Sequence, residues 1–147
     1  MNKIDKFKGD HFFLSNFYGI EVKGIDGRIY PSAEHAFQAA KTLDENERRI
    51  LQVCPTCAEV KRRGKKVKLR PDWEIIKDDV MTQIVRDKFS RNDYLRARLV
   101  ATGDNYLEEG NNHGDRYWGT FKGEGENHLG KILMKVRGEL NAEHHCS

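Results

Sequence analysis

The stretch PDWEIIKDDVMTQIVRDKFS, residues 71–90, constrains this chain more than any other. Ile76, Val80 and Ile84 recur at every fourth position, and so do Met81, Val85 and Phe89. The two rows make one broad apolar stripe, which predicts a helix buried along its length. Pro71 suits the first turn of such a helix. A stripe that wide needs other apolar faces against it. NHLGKILMKVRGEL, residues 127–140, supplies one, with Leu129, Ile132, Leu133, Val136 and Leu140 on one side. Asn92 or Asp93 opens another helix through YLRARLVAT, with Leu95 and Leu99 inward. At 147 residues and 37% hydrophobic, the chain has the size and apolar content of one ordinary domain with a real core.

The remaining elements are short. Tyr18–Lys23 and Arg28–Tyr30 read as a hairpin, with Gly27 in the turn and Pro31 stopping the second strand. Ser32 then caps a helix running to about Thr42. Asp44 with Glu47, and Thr56 with Glu59, fit capping boxes that open two more helices, the second ending at Gly64. Gly103 to Gly125 is a loop-rich stretch. The expected fold class is α+β: one domain, residues 1–147, with a small sheet or hairpin and several surrounding helices.

Charge is high, 33% of residues, but the net is only +3. KRRGKKVKLR, residues 61–70, is densely basic, and DNYLEEGNNHGD, residues 104–115, is acidic. A basic run of this kind is a solvated face or a phosphate-binding one. Without an organised set of aromatic residues it argues weakly for nucleic acid. A mean hydropathy of -0.79 and the lack of a long apolar run speak against a membrane span. MNKIDKFKGDHFF contains no apolar signal-peptide core, so a cytoplasmic location is the expectation. Cys54 and Cys57 with His144, His145 and Cys146 offer zinc-ligand types, but the local capping pattern at Thr56 accounts for the C-x-x-C segment without metal.

In YPSAEHAFQAAK, residues 30–41, Glu34, Gln38 and Lys41 form one polar row beside an apolar row of Ala33, Phe37 and Ala40. Glu34 sits in the first turn, where the helix dipole favours an anion. The glycine-rich loop carries Asp115, Tyr117, Trp118 and Gly119, and Asn127 stands at the start of the last helix, as cap or ligand donor. The chain has no nucleophile elbow, Walker loop, dinucleotide fingerprint or H-E-x-x-H. Carboxylates, aromatic rings and lysines suit a sugar–base substrate. Breaking an N-glycosidic bond builds positive charge at the anomeric carbon, which a carboxylate can stabilise or answer by activating water.

FLSNFY (13–18), YPSAEHAFQAAK (30–41), KRRGK (61–65) before LRPDW (69–73), KF (88–89), ATGDNYLEE (101–109), DRYWG (115–119) and GENHLGKILMKVR (125–137) together resemble the YbiA-like, or NADAR, family. The resemblance implies a metal-free N-glycosidase that uses no cofactor. Its substrates would be ADP-ribosylated guanine, free or in nucleic acid, or phosphoribosylamino intermediates of riboflavin synthesis. Carried over by position, Glu34 and Asp115 would be the acidic catalytic residues, acting on one sugar. Ser15, Asn16, Phe17, Trp73, Trp118, Gly119 and Asn127 would bind ligand. Lys41 and Lys61 are rivals for holding phosphate or acting as an amine, Lys41 being the catalytic candidate. Phe17, Phe37 and Trp73 have an alternative as ordinary core, Asp115 as a turn residue and His35 as a local hydrogen-bond partner. A non-catalytic ADP-ribose or nucleotide reader is the competing reading of the whole chain.

Overall fold

The computed structural model describes residues 2–146, with the backbone alone for 144–146. The chain runs through β1 (Lys3–Ile4), a 3-10 turn (Gly9–Leu14), β2 (Gly19–Lys23), β3 (Ile29–Ser32), α1 (Ala33–Ala40), α2 (Glu45–Gln52) and α3 (Cys57–Gly64). It continues through α4 (Trp73–Arg91), α5 (Asp93–Ala101), β4 (Tyr106–Leu107), β5 (Gly110–Asn111), β6 (Thr120–Phe121) and α6 (His128–Cys146). The class is α+β. Two compact units divide the residues: 16–88, and 1–15 with 89–147.

In the 16–88 unit, β2 and β3 pair antiparallel, with Gly19 opposite Ser32 and Val22 opposite Tyr30. Two residues of β2 thus face Pro31 alone, a bulge that leaves a position where no N–H is needed. That is why β3 continues to Ser32, past the proline expected to end it. Ser32 closes the strand and caps α1, its Oγ accepting from the His35 amide at 3.1 Å. All eight residues of α1 are buried, polar ones included. The hairpin, α2 and α3 surround it. Ala33, Ala36, Ala39 and Ala40 keep its girth small, so neighbours approach on every side. The polar row of Glu34 and Gln38 is therefore enclosed, not bathed in water. Helix α1 ends at Ala40, with Lys41 as C-cap, short of the expected Thr42.

The expected caps of α2 and α3 form on one arm each. Asp44 accepts from the amides of Asn46 and Glu47, and Thr56 from that of Glu59. The Glu47 carboxylate accepts instead from the Thr42 hydroxyl at 2.6 Å, and Glu59 pairs with Arg62 and Arg63. Other side chains within five residues thus compete with the box for these two glutamates. Helix α4 starts at Trp73, two residues after Pro71, behind a lead-in where Arg70 Nε meets Asp72 at 2.7 Å. Val80, Met81, Ile84, Val85 and Phe89 of the predicted stripe are buried, and Ile76 is half-buried.

In the other unit, β1 pairs in parallel with β4, and β5 in parallel with β6. Each pair is only two residues long, so the helices carry the packing. Leu95 and Leu99 of α5 and Leu129, Leu133, Val136 and Leu140 of α6 are buried, as the sequence predicts. The Phe13 ring meets Phe89 edge-on at 6.4 Å between centroids. Among the described residues, no helix is long and apolar enough to cross a membrane.

Candidate active site

Glu34 is 7% exposed, one residue inside α1. Its amide donates to the Asn16 carbonyl at 3.0 Å, which ties the helix start to the segment before β2. One turn on, Gln38 Nε2 donates to Glu34 Oε2 at 2.6 Å. Burial pushes the Glu34 carboxyl above its ordinary range, against the Gln38 bond and the positive charges of Lys61 and Lys41. Burial likewise lowers the Lys41 amine, with Lys61, Lys65 and Lys77 adding repulsion and Glu34 working the other way. The Glu34 carboxyl and the Lys41 amine are thus each displaced toward the neutral form by burial.

Sequence candidates of this unit that meet here are Glu34, Lys41, Lys61, Asn16 and Phe17. Phe17 keeps 36% of its surface exposed, and the Lys61 ammonium lies 5.9 Å from its ring centroid. A ring so placed, beside a cation, can stack a base. Asn16 is buried, its amide 3.5 Å from the Met81 sulfur. Trp73 is 6% exposed and lies 5.1 Å from Phe37 between ring centroids, a core pair. It packs against α1 through that ring contact.

A second polar chain flanks the acid. Ser32 Oγ sits 2.6 Å from His35 Nδ1, and His35 Nε2 2.9 Å from the Cys54 carbonyl. A carbonyl can only accept, so the ring proton sits on Nε2 and Nδ1 accepts from the serine. Cys57 Sγ bonds Ser32 Oγ and the Phe17 carbonyl, while Cys54 Sγ bonds the Ile50 carbonyl. Burial pushes both thiols up. The side chains of His144, His145 and Cys146, the other members of the zinc set, lie outside the described residues.

Asp115, Trp118, Gly119, Asn127 and Ser15 belong to the other unit. Asp115 Oδ1 accepts from the amides of Tyr117 and Trp118, both at 3.0 Å, and so shapes the DRYWG turn. Asn111 locks the same turn by bonding the Asp115 amide and carbonyl. The turn presents Tyr117 stacked on His128 at 4.1 Å, with the Trp118 ring edge-on to Tyr117 at 4.9 Å. A Cβ on Gly119 would lie 1.9 Å from the Glu109 carbonyl oxygen, so the chain's own backbone demands glycine there. Asn127 holds φ at 55° and is 2% exposed. Its Oδ1 accepts from the Glu109 amide, and its Nδ2 donates to the Leu107 carbonyl and the Tyr106 hydroxyl. Its amide is occupied as an internal brace. The Ser15 amide closes the 3-10 turn on Phe12.

Gln38 and Gly64 are residues to which the sequence alone assigned no part in the site. The four-residue spacing of Glu34 and Gln38 was a visible signal for the first; nothing local signals the second.

The NADAR domain model matches residues 5–141. The N-glycosidase YbiA of Escherichia coli K12 is 39% identical over 137 residues, covering 91% of this chain and 84% of that protein. A riboflavin biosynthesis protein of Vibrio vulnificus is 40% identical over 134 residues, which cover 89% of this chain and 36% of that longer protein. An N-glycosidase of Nostoc punctiforme is 34% identical over 135 residues, covering 86% and 84% of the two chains. The NMR structure of E. coli YbiA superposes with a TM-score of 0.87 at 36% identity, over 97% of this chain and 87% of that one.

Proposed function

The chain belongs to the NADAR family and is an N-glycosidase, and we propose that Glu34 is the acid–base group with which it cleaves a ribosylated substrate. The observation that carries this role is an enclosed carboxyl, raised in pKa by burial, with one amide donor and two lysines in electrostatic reach. Cleavage needs a proton on the departing nitrogen and a water deprotonated for attack at the anomeric carbon. A carboxyl that holds its proton above the ordinary carboxylate range can give the first and, once ionised, accept the second. Lys61 and the basic segment after it are assigned the substrate's phosphate, and Phe17 its ring. Asp115 and Trp118 enter through the family resemblance, as an acidic residue required for turnover and a base-contacting ring.

The name of the Vibrio relative supports a phosphoribosylamino intermediate of riboflavin synthesis as one substrate. ADP-ribosylated guanine, free or in nucleic acid, is the other, since it offers the same ribosyl C–N bond and phosphate. Nucleotide-like substrates of both kinds agree with a cytoplasmic location.

A covalent route is favoured by one observation, the lowered pKa of Lys41. Its neutral amine would attack C1 and displace the base nitrogen, which leaves with a proton; opening of the ribose ring then gives a Schiff base, and water hydrolyses it to release the sugar and the free amine. Incubating the protein with each substrate and weighing the products tests both routes. Borohydride added during turnover should leave a ribosyl mass on Lys41 if the covalent route operates, and none if hydrolysis is direct. Near-full turnover of both substrates by Glu34→Gln would refute the acid–base assignment.

A further inference from the structure

Gln38 is 4% exposed, and its two amide atoms meet very different surroundings. Nε2 donates to Glu34 Oε2, while Oε1 is buried with no hydrogen-bond partner. A buried carbonyl left without a donor costs stability, so an arrangement that leaves it so is serving something else. Turning the amide over would set its carbonyl oxygen against the Glu34 carboxylate, so the acid dictates the orientation. What lies beyond Oε1 is Gly64, in the last turn of α3. A Cβ there would lie 2.0 Å from Gln38 Oε1, 2.7 Å from its Cδ and 3.0 Å from its Cβ. A methyl at position 64 would push the Gln38 amide from the place it holds against Glu34.

We propose that Gln38 and Gly64 are positioning residues for the glycosidase reaction, Gly64 opening the space in which the Gln38 amide is held against the Glu34 carboxylate. The inference rests on the reading of Glu34 as the acid–base group. A hydrogen bond donated to a carboxylate favours its ionised form, so Gln38 opposes the burial that raises Glu34. The other charged or titratable groups around the acid are His35 and Lys41 on its own helix and Lys61 and Cys57 on α3. Unlike these, the Gln38 amide does not titrate, and it acts at any pH. Its effect is to offset part of the rise that burial gives Glu34.

Gln38→Met keeps the length and volume of the side chain and removes the donor. Titration of the Glu34 carboxyl by 13C NMR, its signal identified by loss in Glu34→Gln, reads the result without a substrate. The expected midpoint in Gln38→Met is higher by a unit or more, about tenfold in the ionisation constant. With a phosphoribosylamino pyrimidine as substrate, the pH–kcat profile should move alkaline by the same amount and KM should change less than kcat. An unmoved midpoint overturns the proposal.

Gly64→Ala should raise the midpoint in the same direction, because the atom it displaces most is the far end of Gln38. A wild-type midpoint in folded Gly64→Ala removes Gly64 from the pair. Should that variant not fold, Gln38→Ala and the double variant Gly64→Ala/Gln38→Ala, which clears the clash, are compared. Equal midpoints are expected if Gly64 acts through Gln38, and a further shift in the double variant refutes it. The two readings part cleanly. Inactive Glu34→Gln with an unmoved Gln38→Met titration overturns the positioning alone, whereas active Glu34→Gln overturns the catalytic role of Glu34.

Discussion

Glu34 and Asp115 are acids of the same kind placed in opposite ways. Glu34 is carried on a helix whose every residue is buried, and its carboxylate meets a side-chain amide and nearby lysines. Asp115 is carried on a loop, half-buried, and one of its oxygens is occupied by two backbone amides of its own turn. The first carboxyl is displaced in pKa and has little structural duty. The second organises the backbone that displays Tyr117 and Trp118. Local secondary structure does not decide which acid is free for chemistry; what surrounds it does.

The strongest way to break this contrast is Glu34→Gln. Turnover should fall by about 10²-fold or more, with circular dichroism unchanged, because the substitution removes proton transfer and little packing. Next comes the brace of the loop. Asn127→Ala deletes three hydrogen bonds, one buried and two part-buried, and keeps a left-handed φ that alanine tolerates poorly. A loss of about 2–3 kcal/mol in denaturant unfolding is expected.

Asp115 itself separates structure from chemistry. Asp115→Ala should cost about 1–2 kcal/mol, as losses of comparable side-chain caps do. Asp115→Asn keeps an oxygen for both amides and should melt near the wild type. If the charge serves catalysis, the same asparagine lowers turnover tenfold or more; unchanged turnover would leave Asp115 a turn residue only.

The smallest effect is in pH. Burial holds the Glu34 carboxyl above its ordinary value of 4.5, so the folded chain binds that proton more tightly than the unfolded one. Its contribution to stability is therefore most favourable below the unfolded pKa and declines as pH rises toward the folded one. Glu34→Gln removes the decline. Its melting temperature should exceed that of the wild type by a few degrees at pH 8, on the order of 1 kcal/mol, and the gap should close near pH 4.

Much of this molecule was legible because its signals are local. The apolar rows of α4, α5 and α6 predict buried faces that the fold then buries. Ser32, Asp44, Thr56 and Asn92 cap the helices they precede, each through an amide two or three residues on. The strand pairings β1–β4 and β5–β6 were not legible, since two-residue strands carry no periodicity to detect. Pro31 misled for a similar reason, its missing N–H being tolerated by a bulge that only the partner strand reveals.

What the amino-acid order determined by itself is the set of helices, their caps, and the row that puts Glu34, Gln38 and Lys41 in line. Those properties depend on neighbours within a turn or two, where backbone geometry translates spacing directly into direction. Tertiary structure alone decided that Glu34 and Gln38 are enclosed, that burial shifts the acid and the Lys41 amine, and that Gly64, twenty-six residues beyond Gln38, lies against the Gln38 amide. Desolvation and excluded volume are set by whatever packs against a residue, and that information is spread over the chain.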